Sequence, residues 1–283
     1  MTLSAPTRQQ PLPVFSPAGP TEPAVWIRTH GIEVLVPAAD QVVTPYMERK
    51  KEWDGTVLSA VLDSLTPKSS FLDVGAMVGY FSASVAKKIP DGRIVAVEPL
   101  RSNLELASLN LSNFDNTLLL EGAVTDSPEK AWAIIPDETN RGNTRVGVAS
   151  GAPDASVAAD RVPTATLRSL VKRYRSDVVK IDVQGLERQV LDSLGAGRGL
   201  PRNLTVFTEI SPAAWEGESA IARMVERFAA SGFDAYFLGE GSAYSAFSPT
   251  RLSRLVGFGS RWVDHFDMVL TRGRYAATIK NRI

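Results

Sequence analysis

The sequence predicts an α/β fold built on a seven-stranded, mostly parallel sheet with helices on both faces. Three observations indicate this fold. Short apolar runs alternate with segments of helical periodicity, a glycine-rich turn joins the first predicted strand of the sheet to a helix, and most predicted strands end at a polar residue. Strands that alternate with helices form parallel sheets. No helix of sufficient length separates the last two predicted strands, so we expect the final strand to run antiparallel.

Ahead of the sheet, residues 25–36 alternate partly between apolar and polar and predict a β-hairpin around His30-Gly31. Turn residues and then charges follow, with Tyr46, Met47 and Trp53 as candidate lid groups. Asp54 is predicted to cap a helix in which valine and leucine recur at a spacing of 3.6 residues. We therefore assign residues 25–53 to an N-terminal hairpin and lid.

The remaining elements follow from apolar runs and from the residues that interrupt them. The seven strands are predicted at residues 71–74, 94–97, 117–120, 178–183, 204–207, 233–238 and 266–270. The helices that follow Asp54 are predicted at residues 80–89, 102–113, 166–175, 186–194 and 219–230. An irregular insert at residues 125–163 carries a possible strand pair at 131–135 and 144–148, and inserts of this length are often functional. Its expected contact residues are Trp132, Asn140, Arg141 and Asn143.

Composition limits the classes of function. The chain has 283 residues, with 31 basic and 31 acidic side chains and no basic run longer than three residues. This charge pattern predicts no binding to nucleic acid or to an anionic membrane. The absence of cysteine excludes disulfides and thiolate chemistry. Residues 1–24 are rich in proline and polar residues and are predicted to form a disordered tail, while residues 25–283 form one domain. Without a membrane span or a secretory signal, we expect a cytoplasmic protein.

The glycine-rich turn predicts a nucleoside site. Gly75 and Gly79 allow a sharp turn and a close approach of a ligand to the backbone. Glu98 lies about 20 residues beyond the turn, at the end of the next strand, where a carboxylate can accept hydrogen bonds from a ribose diol. Met77 and Tyr80 stand where a dinucleotide fingerprint has glycine, which favours a nucleoside without phosphate. S-adenosylmethionine fits this description, and an ordinary βα turn with a strand-end glutamate is the alternative.

Several other residues are predicted to meet at the same edge of the sheet. In open α/β sheets, ligands bind beyond the carboxyl ends of the strands, where the strand order switches. An antiparallel final strand would begin at this edge, which adds His265 to the group. The residues expected at strand ends are Asp73, Gly75, Glu98, Ala123, Asp182 and Glu209. Their convergence predicts an active site.

Five segments carry a family resemblance: residues 71–82 (FLDVGAMVGYFS), 97–99 (VEP), 163–167 (PTATL), 179–187 (VKIDVQGLE) and 208–210 (TEI). Together they resemble the FkbM family of class I S-adenosylmethionine-dependent methyltransferases. The glycine motif is common to all class I methyltransferases, whereas its combination with Lys-Ile-Asp-Val-x-Gly-x-Glu is much more specific. The resemblance implies a Rossmann-like fold, S-adenosylmethionine as the cofactor and S-adenosylhomocysteine as its product. Three positions depart from the family pattern: Met77 replaces the usual Asn, Gln184 the usual Glu, and Arg168 a common Asp.

The resemblance also implies roles for individual residues. Glu98 would hold the ribose hydroxyls, and Pro99 or Leu100, together with Ala123, would flank the adenine. Asn103 is a further candidate for the cofactor site, with a role at the start of its helix as the alternative. The methionine end of the cofactor would lie near Asp73, Gly75 and Gly79, and Ala76 and Asp182 are further candidates for binding the cofactor.

Methyl transfer to a neutral hydroxyl benefits from a general base. Asp182 is the first candidate, with helix capping as its alternative role. Glu209 is the second candidate, or a group that binds a polar part of the acceptor. His265 is the third, although a solvated or capping histidine has the same sequence signature. No metal is expected, because Ser211 stands where a paired site would place its second strand-end acid.

The sequence therefore predicts an enzyme that methylates a hydroxyl of a small-molecule natural product or sugar. N-methylation of an amine or guanidine by the same fold is the main alternative. An NAD-type oxidoreductase and a non-catalytic Rossmann scaffold are two further alternatives. The expected partner is a small-molecule acceptor, with no nucleic acid and no membrane, and the hairpin and tryptophans are compatible with a homodimer. Tryptophans expected to overhang the site, or else to pack in the core, are Trp53, Trp132, Trp215 and Trp262.

Overall fold

A mixed eight-stranded sheet lies between two layers of helices in the computed structural model of the chain. The structure describes residues 11–283 except for 17–18, 129, 131, 136, 138, 141, 143, 149–161, 196–198, 257–264 and 282. The described strands are β1 (Ala24–Thr29), β2 (Ile32–Pro37), β3 (Ser70–Val74), β4 (Arg93–Glu98), β5 (Thr117–Glu121), β6 (Ala123–Val124), β7 (Trp132–Ile135), β8 (Arg145–Val148), β9 (Thr164–Ala165), β10 (Val178–Ile181), β11 (Leu204–Ile210), β12 (Asp234–Gly239), β13 (Ala243–Ala246) and β14 (Phe266–Arg272). The described helices are α1 (Val43–Lys50), α2 (Gly55–Ser64), α3 (Tyr80–Lys88), α4 (Arg101–Leu111), α5 (Leu167–Tyr174), α6 (Glu187–Leu194), α7 (Glu218–Ala229), α8 (Pro249–Val256) and α9 (Arg274–Lys280).

The strand order in the large sheet is β13-β12-β14-β11-β10-β3-β4-β5. The five strands from β11 to β5 are parallel, and β14 runs antiparallel between β11 and β12. The predicted fold class, its seven strands and its antiparallel final strand are thereby confirmed. The eighth strand, β13, was not predicted, and neither was α8, which lies between β13 and β14.

Both faces of the parallel strands are buried. Phe71 and Ile94 point into a core formed with α2, α3 and α4, whereas Leu72 and Val95 point into a second core formed with α5, α6 and α7. A sheet covered on both faces consists of nearly continuous apolar runs, which is why these strands could be identified from the sequence. The predicted hairpin is also present, as β1 and β2, and so is the predicted strand pair in the insert, as β7 and β8.

Helix α1 forms where the sequence indicated only turn residues and charges. The Asp40 carboxylate caps it by accepting hydrogen bonds from the backbone N–H groups of Val43 and Thr44, at 2.5 and 3.2 Å. Its buried face carries Val43 and Met47, which pack in the first core. The helix is short and polar on its other face, so its apolar residues were too few to give a clear period.

Residues 12–15 lie along the outer edge of β5. Phe15 N–H donates to the Leu119 carbonyl and Glu121 N–H donates to the Pro13 carbonyl, each at 3.0 Å. The side chains of Leu12 and Phe15 are buried. The expectation of a disordered tail over residues 1–24 is therefore wrong for this segment, because backbone pairing to an exposed strand edge orders it. Among the described residues, no helix is both long and apolar enough to cross a bilayer.

Candidate functional site

A cavity of about 480 Å³ opens at the carboxyl ends of β3, β4 and β10. Its volume lies in the range of small-molecule sites. The cavity lies at the edge of the sheet where the sequence predicts that the site residues converge. Predicted residues that line it are Gly75, Ala76, Glu98, Pro99, Asn103, Ala123, Asp182, Glu209 and His265. Asp73 and Gly79, also predicted to bind the cofactor, are not among its lining residues.

The two glycines of the turn have different functions. Gly75 has a φ of +81°, and a Cβ placed on it would overlap the carbonyl oxygen of Asp182 and lie 2.9 Å from its carbonyl carbon. Gly79 has a φ of +78°, but the atoms nearest to its Cβ would be side-chain atoms of Ala107 and Leu111 of α4, at 3.4 Å. Gly75 therefore permits the close approach of two strand ends below the cavity, whereas Gly79 allows the turn that starts α3 and packs it on α4.

Asp73 lies below the cavity and anchors the turn. It is fully buried, accepts a hydrogen bond from Ser82 Oγ at 2.8 Å, and lies 4.0 Å from Lys180 Nζ. Burial raises the pKa of Asp73, while Lys180 and Ser82 oppose that shift. The sequence predicts Asp73 beside the cofactor; in the structure it does not line the cavity, and it links α3 to β10 through Ser82 and Lys180.

Glu98 is positioned by three donors. Its Oε2 accepts from Met77 N–H at 2.9 Å, and its Oε1 accepts from Leu100 N–H at 3.0 Å and from Asn103 Nδ2 at 3.2 Å. Burial raises the pKa of Glu98 to about 7, although these hydrogen bonds lower it in part. Since a carboxylate oxygen can accept two hydrogen bonds, Oε2 keeps one acceptor position for a ribose hydroxyl. These residues fit the nucleoside end of S-adenosylmethionine.

Asn103 lies in the first turn of α4 and is buried. Its amide donates to the Glu98 side chain, so it fixes the orientation of that carboxylate. The apolar wall beside it is formed by Pro99 and Ala123, where the sequence predicted the adenine. Across the cavity lie residues of the insert, namely Asn140, Gly142, Thr144 and Val146.

The insert meets α1 over the cavity. A Cβ on Gly142 would lie 3.3 Å from Val43, and Gln41 N–H donates to the Thr139 carbonyl at 2.9 Å. Trp53 lines the cavity as expected. In contrast, Trp132 and Trp215 are buried and do not line it, so they belong to packing layers. The predicted contacts Arg141, Asn143 and Trp262 lie outside the described residues.

Lys180 and Asp182 form the floor of the cavity. Lys180 Nζ lies 3.2 Å from Asp182 Oδ2 and 4.7 Å from the ring centroid of Phe81. Burial would lower the pKa of Lys180, but Asp182 and Asp73 outweigh it and raise that pKa. Gln184 Nε2 donates to Asp182 Oδ1 at 2.7 Å. Both oxygens of Asp182 therefore already have a partner, which makes it a weaker candidate base than the sequence indicated.

The end of the cavity away from Glu98 is acidic. Glu209 on β11 pairs in register with Asp267 on β14, and Asp54 joins them from the start of α2. Burial and then repulsion by Asp182 raise the pKa of Glu209 to about 8. Burial and then repulsion by Asp54 raise the pKa of Asp267 to about 7, and burial raises the pKa of Asp54. His265 Nε2 lies 3.8 Å from Glu209 Oε2, which confirms the expected proximity of this histidine to the edge.

Sequence reasoning missed Asp54 and Asp267 as site residues. Asp54 had been identified as a helix cap, and its carboxylate does accept from Val57 N–H, at 3.4 Å. Asp267 lies within an apolar run, and its position depends on the pairing of β14 with β11. Among the described residues, no three His, Cys, Asp or Glu side chains come together in an arrangement that could hold a metal.

Comparisons with solved structures return matches at low similarity, methyltransferases among them. One is the precorrin-6y C5,15-methyltransferase of Geobacter metallireducens, 15% identical, covering 77% of this chain and 88% of that chain with a TM-score of 0.40. A TehB-like SAM-dependent methyltransferase of Corynebacterium glutamicum is 10% identical, with 82% and 94% covered and a TM-score of 0.44. The fibrillarin pre-rRNA processing protein of Methanococcus jannaschii is 15% identical, with 78% and 76% covered and a TM-score of 0.42. Similarity this low assigns no substrate to the chain.

A comparison with curated proteins finds no match. The methyltransferase FkbM domain, in contrast, matches residues 73–235. This range contains the glycine turn, Glu98 and the segment around Asp182, on which the sequence resemblance was based. Because the match spans more than half of the 283 residues, the chain belongs to the FkbM methyltransferase family.

Proposed function

We propose that this S-adenosylmethionine-dependent methyltransferase modifies a hydroxyl group of a small-molecule natural product or sugar, with Glu209 as the general base. The observation that supports the proposal is the position of Glu209. It lines the cavity at the end opposite Glu98, and its two side-chain contacts are long: Ser211 Oγ donates to Oε1 at 3.5 Å, and His265 Nε2 lies 3.8 Å from Oε2. Glu209 is thus held more loosely than Asp182, whose two oxygens have partners at 2.7 and 3.2 Å, and it can more readily accept a proton.

When bound, S-adenosylmethionine supplies an activated methyl group on its sulfonium. The chain's own residues hold the acceptor oxygen in line and remove its proton. Glu209 suits the second task, since its pKa of about 8 lies near the pH at which such an enzyme works. His265 is 57% exposed and adjoins Glu209, so it can pass the proton on to solvent. Asp182 and Lys180 form the floor on which the acceptor is oriented.

N-methylation of an amine is a second candidate function, and the acidity of the acceptor end favours it. Lys180 is the one Lys or Arg among the described residues that line the cavity, and the acids that line it outnumber it. A cationic nitrogen would be attracted to such a site before it loses its proton. The position of the new methyl group in the product distinguishes the two candidates.

The proposal includes a small-molecule acceptor rather than a nucleic acid, supported by the zero formal net charge of the chain. We also propose that the protein is cytoplasmic and that it forms a homodimer. Sedimentation of the purified protein would test the homodimer. The exposed Trp26 on the hairpin is where we would first introduce a substitution to disrupt such a dimer.

The proposal is tested with Glu209→Gln and a methyl donor labelled in its methyl group. The purified full chain is incubated with a library of hydroxylated and aminated small molecules, and mass spectrometry and NMR identify the labelled product. We expect O-methyl products, and a loss of rate on the order of 10²–10⁴-fold in the variant with unchanged affinity for S-adenosylhomocysteine. The wild-type rate should rise with pH through about 8. A variant that retains the full rate, or a wild-type rate independent of pH, would exclude Glu209 as the base.

A further inference from the structure

A small recess adjoins the acidic end of the cavity. Its volume is about 10 Å³, close to the space that one water-sized group requires. It shares Asp54, Lys180, Asp182, Glu209 and Asp267 with the large cavity, but no residue of the glycine turn and not Glu98. The recess therefore lies at the acceptor end and away from the nucleoside. Its remaining lining residues are mainly apolar: Val57, Ile181, Phe207, Thr208, Leu238 and Met268.

The charges around the recess are unbalanced. Glu209 and Asp267 are direct partners across two antiparallel strands, an arrangement in which like charges destabilise the sheet. Lys180 is paired with Asp182 at 3.2 Å and lies 4.0 Å from Asp73, so its charge is already shared by two carboxylates. The exposed His265 lies 3.8 Å from Glu209 and also acts on the charge of Asp54. A ligand with a positive charge would remove this imbalance.

The size and chemistry of the recess select the kind of cation. A planar guanidinium is several times larger than one water-sized group, whereas an ammonium group is close to that size. A metal ion is not favoured, because no three acids among the described residues converge in a metal-binding arrangement. The cavity and the family membership support an acceptor site at this end, and the carboxylates bear only on which acceptor the site would take.

We propose that the acceptor carries a protonated primary amine, which occupies the recess beside Asp54 and Asp267 while the hydroxyl to be methylated faces Glu209. The inference rests on the proposed function and narrows it to amino alcohols and amino sugars. The ammonium group donates hydrogen bonds to the carboxylates and offsets their mutual repulsion. Because it stabilises their ionised forms, its binding should release protons from the raised-pKa carboxyls Glu209 and Asp267.

The test uses two matched probes, 2-amino-1,3-propanediol and glycerol, which differ only by an ammonium group in place of a hydroxyl. Each is titrated by calorimetry into the full chain saturated with S-adenosylhomocysteine, in buffers of different ionisation enthalpy. We expect the amine to bind roughly 10-fold to 100-fold more tightly than glycerol, as for one charge-assisted hydrogen bond, and to release protons. Equal affinities, or no binding of the amine, would overturn the inference.

Substitutions identify the carboxylates that cause the preference for the amine. Asp54→Asn combined with Asp267→Asn should abolish the preference for the amine, and the double variant should fold because Asn also caps helices and one repulsion is removed. Glu216→Gln is the matched control, since Glu216 is an exposed acid remote from the recess. A preference that persists in the double variant also overturns the inference. Failure of the proposed function is seen separately in the labelling experiment, where the new methyl group would then be found on nitrogen, or no labelled product would form, whatever the relative affinities of the two probes.

Discussion

Gly75 and Gly79 provide a direct test of how the backbone forms the cofactor site. Both have a φ near +80°, so alanine at either position costs roughly 1–2 kcal/mol in backbone strain. At Gly79 the new Cβ has ordinary contacts of 3.4 Å with α4. At Gly75 it would overlap the Asp182 carbonyl oxygen and lie 2.9 Å from the carbonyl carbon, closer than the 3.0 Å below which real Cβ atoms essentially never come. Such overpacking adds roughly 1–3 kcal/mol.

We therefore expect Gly79→Ala to lower the free energy of unfolding by about 1–2 kcal/mol and Gly75→Ala by about 2–5 kcal/mol. The two variants should differ more in their affinity for S-adenosylhomocysteine than in their stability. In Gly75→Ala, the Asp182 backbone must move away from the turn, and a displacement of about 1 Å in a site can cost on the order of 100-fold in function. Gly79 does not line the cavity, so its variant should keep an affinity within about twofold of the wild type.

Denaturant unfolding and calorimetry with S-adenosylhomocysteine measure the two quantities on the same samples. Under conditions in which both variants are folded, their affinities should differ by more than their difference in stability explains. Equal affinities in the two variants would show that the close approach at Gly75 has no part in forming the site. A loss of affinity confined to Gly79→Ala would reverse the assignment of the two glycines.

Two further predictions concern the charges of the cavity. Lys180→Met should lower the free energy of unfolding by about 3 kcal/mol, because it leaves carboxylates at the base of the cavity without their cation. The control Arg188→Met breaks a more exposed ion pair and should lower it by at most about 1 kcal/mol. Stability should also fall as pH rises from about 4 to about 8, since three carboxyls keep protons in the folded state that the unfolded chain releases. Thermal melts across this range should show a melting temperature that falls with rising pH. The double variant Glu209→Gln, Asp267→Asn should show a smaller fall. A wild-type melting temperature that stays constant with pH would contradict the prediction. The carboxyls are Glu98, with a pKa of about 7, Glu209, of about 8, and Asp267, of about 7.

The sheet could be predicted from the sequence because its central strands are buried on both faces. Each parallel strand is a nearly continuous apolar run that ends at a turn or a polar residue, so local composition was sufficient. The missed strand β13 consists of Ala243, Tyr244, Ser245 and Ala246, without a β-branched residue. It pairs only with β12 at the sheet edge. An edge strand of this length has no local signal strong enough to distinguish it from a loop.

The cofactor end of the site was also largely predictable, because its residues follow strands directly. Glu98 could be placed by counting from the glycine turn, and its carboxylate does line the cavity. The two glycines could not be separated in this way. What distinguishes them is which backbone or side chain approaches from another element, and the Asp182 carbonyl that meets Gly75 is more than 100 residues away in the chain.

The acceptor end could not be derived because it is formed by contacts distant in sequence. Asp267 faces the cavity through its register with Glu209 on an antiparallel strand, and a shift of one residue would turn its side chain to the other face of the sheet. Asp54 reaches the same place through the packing of α2 on the sheet. Its capping pattern predicted its local role correctly and contained no information about its neighbours.

Strain at the cavity supports a functional interpretation of its unusual residues. Asp54, Met77 and Gln184 all line the cavity and all have left-handed backbones, with φ of +46°, +50° and +50°. None is glycine, so each costs of order 1–3 kcal/mol that the surrounding packing must offset. Met77 N–H donates to Glu98 and Gln184 donates to Asp182, so in both cases the strained residue orients a carboxylate of the site. The departure at Met77 leaves its contact with Glu98 intact, because a backbone N–H makes it, whereas Gln184 supplies an amide donor to Asp182 that an ionised Glu could not supply. This argues against a scaffold that has lost its chemistry, because relaxed alternatives at these positions would otherwise be more stable.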